Sequence, residues 1–185
     1  IPPFDDIYIH LQQLYQQATP TYSSFHAQDG LLFALKDDPT RNQPMLVVMT
    51  SPNDLSSERV VVDPNAMDPS GLTAIDFYVI SPDAALAAVS LSKGGSEDGN
   101  LRVFQVSDGR MLSDLVPRVN GPTAGGDAAW KADGTGLYYT HYPRPGEKPA
   151  DSLRFCQQVY FHRLGAPTES DIYEIGREFP PIAEI

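Results

Sequence analysis

The sequence predicts an all-β fold, a partial β-propeller of about three four-stranded antiparallel blades led by a short N-terminal helix. Three observations carry that expectation. Most of the chain alternates apolar and polar residues with period 2, in short runs rich in β-branched and aromatic side chains. Prolines, 17 in 185 residues, interrupt it too often for long helices. A turn-plus-strand unit also recurs, at Gln28-Asp29-Gly30, Pro82-Asp83-Ala84 and Ala132-Asp133-Gly134, so that Asp29, Asp83 and Asp133 stand 54 and 50 residues apart.

In chain order, Phe4–Gln17 reads as a helix, because Ile7, Leu11, Leu14 and Tyr15 share one stripe. It must stop before Thr19-Pro20, since the residue preceding proline is pushed out of the α region. Residues 1–23 are therefore read as helix and linker, and 24–185 as the partial propeller. Blades are expected near 25–66, 72–116 and 117–178, with the start of another at 179–185. Strands are expected around Leu31, Phe33 and Leu35, then at Met45–Met49, Val60–Val62, Ile75–Ile80, Leu86–Leu91 and Leu101–Val106. Others follow at Leu137–Tyr142, Gln158–Arg163 and Ile172–Ile175, and a single helical turn is expected near Asn65–Gly71.

A repeat near 50 residues with about four strands per unit suits propeller blades, because a small sheet buries its faces only against neighbouring sheets. The Asp-Gly pairs suit tight hairpins, where glycine accepts positive φ. A β-sandwich with accidental spacing is the competing architecture. Three blades cannot close a ring, so the pattern implies further sequence, homo-oligomerisation through open blade edges, or exposed end sheets. The chain starts without Met and ends in what reads as a strand, as an excised fragment would.

The net charge of -11 argues against a nucleic-acid partner, since phosphate binding needs a basic stripe and no three Lys or Arg fall together. No apolar run approaches the roughly 20 residues that span a bilayer, so no membrane partner is expected. Cys156 is the only cysteine, which leaves the compartment open, the cytoplasm ahead of the periplasm. It is expected at a strand start, as a small packing residue or a reactive thiol.

Several ordered segments resemble one family. Arg41-Asn42-Gln43-Pro44-Met45-Leu46 and the later Val62-Asp63-Pro64-Asn65 match its first blade, and Ile80-Ser81-Pro82-Asp83 with Ser92-Lys93-Gly94-Gly95-Ser96 its second. Trp130, Asp133-Gly134, Leu137-Tyr138-Tyr139-Thr140-His141-Tyr142-Pro143 and Tyr160-Phe161-His162-Arg163-Leu164-Gly165 match its third. Over about 150 residues the chain resembles the N-terminal half of the propeller domain of prolyl oligopeptidases, serine peptidases that cleave short proline-containing peptides. The resemblance implies a seven-bladed propeller capping an α/β-hydrolase domain that carries the Ser-Asp-His triad. That domain, absent from this sequence, would be the chief partner, and short peptides the substrate.

No catalytic residue is expected in this chain. Such an enzyme needs a G-x-S-x-G elbow to present its serine, and none occurs; Ser92 and Ser96 lie in a turn between strands with no helix following. His10, His26, His141 and His162 are scattered without metal-ligand spacing, and His141 or His162 as a general base stands against an ordinary strand histidine. Asp63–Asp68 has Met67 where a calcium loop needs an oxygen ligand, and neither Gly94-Gly95 nor Gly125-Gly126 leads into Gly-Lys-Ser/Thr, so neither metal nor cofactor is expected. The segment left with a functional reading is the loop Asn120–Asp127. In the resembling enzymes this region sends an aromatic residue toward the substrate cleft; here it holds none. Asn120, Thr123, Gly125 and Gly126 are nevertheless the candidates for a substrate-cleft or interdomain contact, a plain solvent loop being the alternative. Trp130 is expected to pack between blades. The rival to a peptidase propeller is a stand-alone interaction module that uses the helix or an open blade end.

Overall fold

A computed structural model describes residues 3–16 and 19–185. Among the described residues, twelve strands form three separate four-stranded meanders. The first sheet contains β1 (Thr21–Gln28), β2 (Leu31–Asp37), β3 (Met45–Met49) and β4 (Arg59–Val62). The second contains β5 (Thr73–Ile80), β6 (Leu86–Lys93), β7 (Gly99–Gln105) and β8 (Met111–Asn120). The third contains β9 (Ala128–Trp130), β10 (Gly136–His141), β11 (Gln158–Arg163) and β12 (Ile172–Ile175). All pairings are antiparallel, and each strand neighbours the next in sequence.

The three aspartates of the repeat occupy equivalent positions, in the turn between the first and second strands of each sheet. The Asp133 carboxylate accepts from the Thr135 N–H at 3.0 Å, and Asp83 accepts from the Ala85 N–H at 3.1 Å. These are side chains closing their own turn. The next residue is left-handed each time: Gly30 at φ +74°, Gly134 at +70°, and Ala84 at +53° without glycine's exemption.

Period 2 decides which face each residue takes. Leu31, Phe33 and Leu35 of β2 point to the seam with the second sheet, whereas Leu32 and Ala34 point away. β3 is buried on both faces, the reason Met45–Met49 is an unbroken apolar run. The first seam packs Phe33, Leu46, Val48, Val61 and Val62 against Ile80, Ala87, Val89, Phe104 and Val106. At roughly 1.5–3 kcal/mol per buried large side chain, this seam is a principal stabiliser of the fold. The second seam packs Ala88, Leu101, Val103, Val116 and Val119 against Ala128, Leu137 and Tyr139. Trp130 is half-buried against that cluster, and its Nε1–H donates to the Val79 carbonyl at 3.1 Å, joining the sheets.

Helix α1 spans Phe4–Gln16; Gln17, the last residue of the predicted helix, and the Tyr15 side chain lie outside the described residues. Asp5 and Asp6 sit in its first turn, where carboxylates complement the helix dipole. Its stripe is exposed, from Ile7 at 44% to Leu14 at 52%. The single helical turn forms as α2, Pro64–Met67, earlier than expected because Asp63 caps it by accepting from the Asn65 N–H at 2.9 Å. Asn65 in turn holds the β2–β3 loop, accepting from the Asn42 and Gln43 N–H groups and donating to the Gln43 carbonyl. The Asp-Pro-Asn run is therefore a clamp between two loops, and the Asp63 carboxylate is spent on it.

Three sequence expectations need correction. Cys156 is not at a strand start; it lies two residues before β11 at φ +60°, half-buried, with its N–H donating to the Pro181 carbonyl at 2.6 Å. Ser92 is not in the turn but within β6, 7% exposed. Residues 176–185 form turns and no strand, because a strand there has no neighbour to pair with among the described residues.

Candidate functional site

In a meander, connections alternate between the two ends of the sheet. The tight turns at 29–30, 81–85 and 131–135 share one end with the β3–β4 type of connection. The loops 38–44, 63–72, 94–98, 121–127 and 142–157 share the other. The four candidate residues lie at this second end, where the second and third sheets meet.

Asn120 is the last residue of β8, 9% exposed, and its Nδ2 donates to the Glu97 carbonyl at 2.9 Å. Gly121 and Gly125 exchange backbone hydrogen bonds of 2.9 and 3.2 Å, closing the loop on itself. Gly126 admits no side chain: a methyl group there would stand 2.1 Å from the Val119 carbonyl oxygen. Thr123 is exposed, and its Oγ1 donates to the Arg154 carbonyl at 2.6 Å. The Ala124 N–H donates to the Tyr142 hydroxyl at 3.1 Å. The loop is thus moulded onto the long β10–β11 connection rather than free in solvent.

Arg118 supplies the second tie, and no sequence motif marks it. It sits at φ +57°, with Nη1 3.0 Å from Asp98 and Nη2 donating to the Leu153 carbonyl at 2.8 Å. Beside these ties, His141 lines a cavity of about 410 Å³ together with Pro143, Glu147, Lys148, Gln158, Tyr160 and Arg177. Its Nε2 lies 3.0 Å from Glu147, and its ring meets Tyr160 edge-on at 4.9 Å. Burial pushes the His141 imidazole below its ordinary pKa, against the opposing pull of Glu147, which keeps it neutral.

The other strand histidine, His162, is fully buried in the second seam between two carboxylates. Its Nδ1 lies 2.7 Å from Asp171 and its Nε2 3.2 Å from Asp114 of β8. Asp171 also accepts from the Tyr139 hydroxyl at 2.9 Å, and Asp114 from the Gly165 N–H at 2.6 Å. Burial alone would lower the His162 pKa, but the two carboxylates outweigh it and raise it.

None of these groups assembles a nucleophile with a base. The Ser90 and Ser92 hydroxyls both donate to Asp76, at 2.8 and 2.5 Å, and no histidine is among their hydrogen-bond partners. Among the described residues no group of three His, Cys, Asp or Glu side chains is placed to hold a metal ion.

The family model for the prolyl oligopeptidase N-terminal beta-propeller domain matches residues 5–180. The chain belongs to that family. Among curated prolyl oligopeptidase relatives, the prolyl endopeptidase of Elizabethkingia meningoseptica is 28% identical over 123 residues, 65% of this chain and 17% of that protein. The prolyl oligopeptidase of Omphalotus olearius is 27% identical over 120 residues, 60% of this chain and 16% of that protein. Among solved structures, prolyl oligopeptidase B from Galerina marginata, bound to a 25mer macrocyclization substrate, superposes with a TM-score of 0.72 at 20% identity. That match covers 95% of this chain and 28% of the larger one. A second prolyl endopeptidase structure gives 0.72 at 17% identity over 93% of this chain. The fold is that of the propeller domain of prolyl oligopeptidases, and the chain spans less than a third of the proteins it matches.

Proposed function

We propose that this chain is the access-controlling propeller part of a prolyl oligopeptidase-like serine peptidase and has no peptidase activity of its own. The reading rests on one structural observation within the family framework: the ordered loops 121–127 and 142–157 are tied to each other and to Arg118 at one end of the sheets. A rigid loop end of this kind can dock on an α/β-hydrolase domain of the same polypeptide and narrow the route for short proline-containing peptides. Asn120, Gly125 and Gly126 shape the loop, and Thr123 is its exposed polar member. The triad would come wholly from the hydrolase domain.

Two measurements test this. The chain alone, offered a proline-containing reporter peptide, gives no turnover above buffer; turnover that co-purifies with the chain overturns the reading. With a family hydrolase domain supplied in trans, the chain binds it, and Gly126→Ala, which forces the loop off Val119, weakens that binding. Unchanged binding places the contact elsewhere.

The exposed apolar side chains of α1, with Tyr8 at 53% and Leu14 at 52%, favour a second reading, a stand-alone interaction module. Its mark would be a partner bound through Tyr8 and Leu14 and no affinity for any hydrolase domain.

A further inference from the structure

The second seam contains a buried histidine whose two nitrogens face carboxylates on opposite sides of the joint. Asp171 belongs to the same sheet as His162, at the entrance to β12, whereas Asp114 reaches across from β8 of the second sheet. All three side chains are sealed from solvent, at 1% exposure for His162, 2% for Asp171 and 4% for Asp114. The remaining group facing this cluster is Tyr139 of β10, whose hydroxyl donates to Asp171; Arg144 and Tyr160 act on that tyrosine from farther off.

A neutral imidazole has one N–H and one lone pair, whereas the imidazolium has two N–H groups. Only the charged form can donate to both carboxylates at once. On losing a proton the ring keeps the N–H that makes the closer contact, Nδ1 to Asp171 at 2.7 Å, leaving the Nε2 lone pair 3.2 Å from an Asp114 oxygen. Attraction across the seam then becomes repulsion between two lone pairs in a dry setting, where such terms are large. Asp114 retains the Gly165 N–H as its partner, but that bond also crosses the seam and shares the same oxygen.

We propose that His162 is a proton-controlled joint: charged, it clamps the second and third sheets through Asp114 and Asp171, and neutral, it loosens that seam while leaving the first seam intact. The contrast with the first seam is what makes the control local. Phe33, Leu46, Val48, Val61, Val62, Val89 and Phe104 carry no titratable group, so a pH change leaves their packing alone.

The sign follows from the raised pKa of His162. The clamp is fully present below the ordinary histidine value of about 6.5 and is lost as pH rises through the higher value in the folded chain. The test combines two measurements on the 185-residue chain from pH 5.5 to 9. Imidazole 15N shifts, with the His162 signal assigned through His162→Gln, follow protonation and tautomer. Amide hydrogen exchange follows the seams. The expected result is a His162 titration above about 6.5, ending in the Nδ1–H tautomer. At the same midpoint the exchange of Gly165 and Tyr142, corrected for intrinsic pH dependence, rises about tenfold, with no step at Val48 or Phe104. Asp114→Asn, which keeps an oxygen for the Gly165 N–H but removes the negative charge that favours a protonated Nε2, is expected to abolish the step while remaining folded. A His162 titration at or below the ordinary value, an Nε2–H tautomer, a step shared equally by both seams, or a wild-type step persisting in Asp114→Asn each overturns the proposal.

Discussion

The two seams join four-stranded sheets of the same meander topology, yet they are built from different chemistry. The first is closed by Phe33, Val48, Val61, Val89 and Phe104, and its polar crossings run from Gln28, Arg59 and Tyr78 to backbone carbonyls. The second pairs an apolar half around Leu101, Val116 and Leu137 with a buried polar half, Asp114, His162, Asp171 and Tyr139. An apolar seam gains from every contact and is indifferent to proton activity. A polar one is satisfied only when each donor has its acceptor, so it is stable in one protonation state and strained in another. One repeat can therefore supply both a fixed joint and an adjustable one.

The largest way to break this comparison is Phe33→Ala. Removing a fully buried ring from the first seam is expected to cost about 4 kcal/mol in urea unfolding, by the same amount at pH 6 and pH 8. Asp114→Ala in the second seam is expected to cost about 3 kcal/mol at pH 6, because it leaves the Gly165 N–H and one side of His162 without an acceptor. At a pH above the His162 midpoint that cost should shrink, since neutral His162 no longer donates to Asp114. Equal losses at both pH values would erase the distinction between the seams.

A smaller effect sharpens it from the acid side. His141 is depressed, so its contribution is present above about 6.5 and lost as pH falls through its lower folded value. Stability of the wild type should therefore decline on both sides of a maximum, and His162→Gln should flatten the alkaline limb alone. Trp130→Phe, which deletes one hydrogen bond across the second seam and keeps a smaller aromatic ring there, should cost about 1 kcal/mol. The least expected effect is from Thr123→Val, about 0.5 kcal/mol through the lost bond to the Arg154 carbonyl at the exposed end of that seam.

Much of the architecture could be read from the sequence because it is locally encoded. Asp83 and Asp133 each close their turn with their own side chain, Asp29 and Gly30 turn through positive φ, and such local signals need no distant partner. β11 and β12 fall at their expected bounds for the same reason, strong alternation between clear turns. β8 has a weak strand signal because Pro117 interrupts it; it survives as the outermost strand of its sheet, where a residue without an N–H is tolerated. The four candidate loop residues do gather at one end of the sheets, as a meander requires. Arg118 escaped notice because its ties run to Asp98 and Leu153, on a different loop each. The His162 cluster was illegible because Asp114 lies 48 residues away across a seam, and no spacing along one strand foretells a contact between blades.

The lone tryptophan of the chain has a use beyond packing. Trp130 hangs its indole N–H on a carbonyl of the facing sheet, at one of the two joints and not the other. The molecule thus carries its own optical gauge of a single hinge. Loosening the second seam should wet the indole and shift its emission to longer wavelength, whereas loosening the first should leave the spectrum still. Motion between two blades can be watched in the unlabelled protein, in real time.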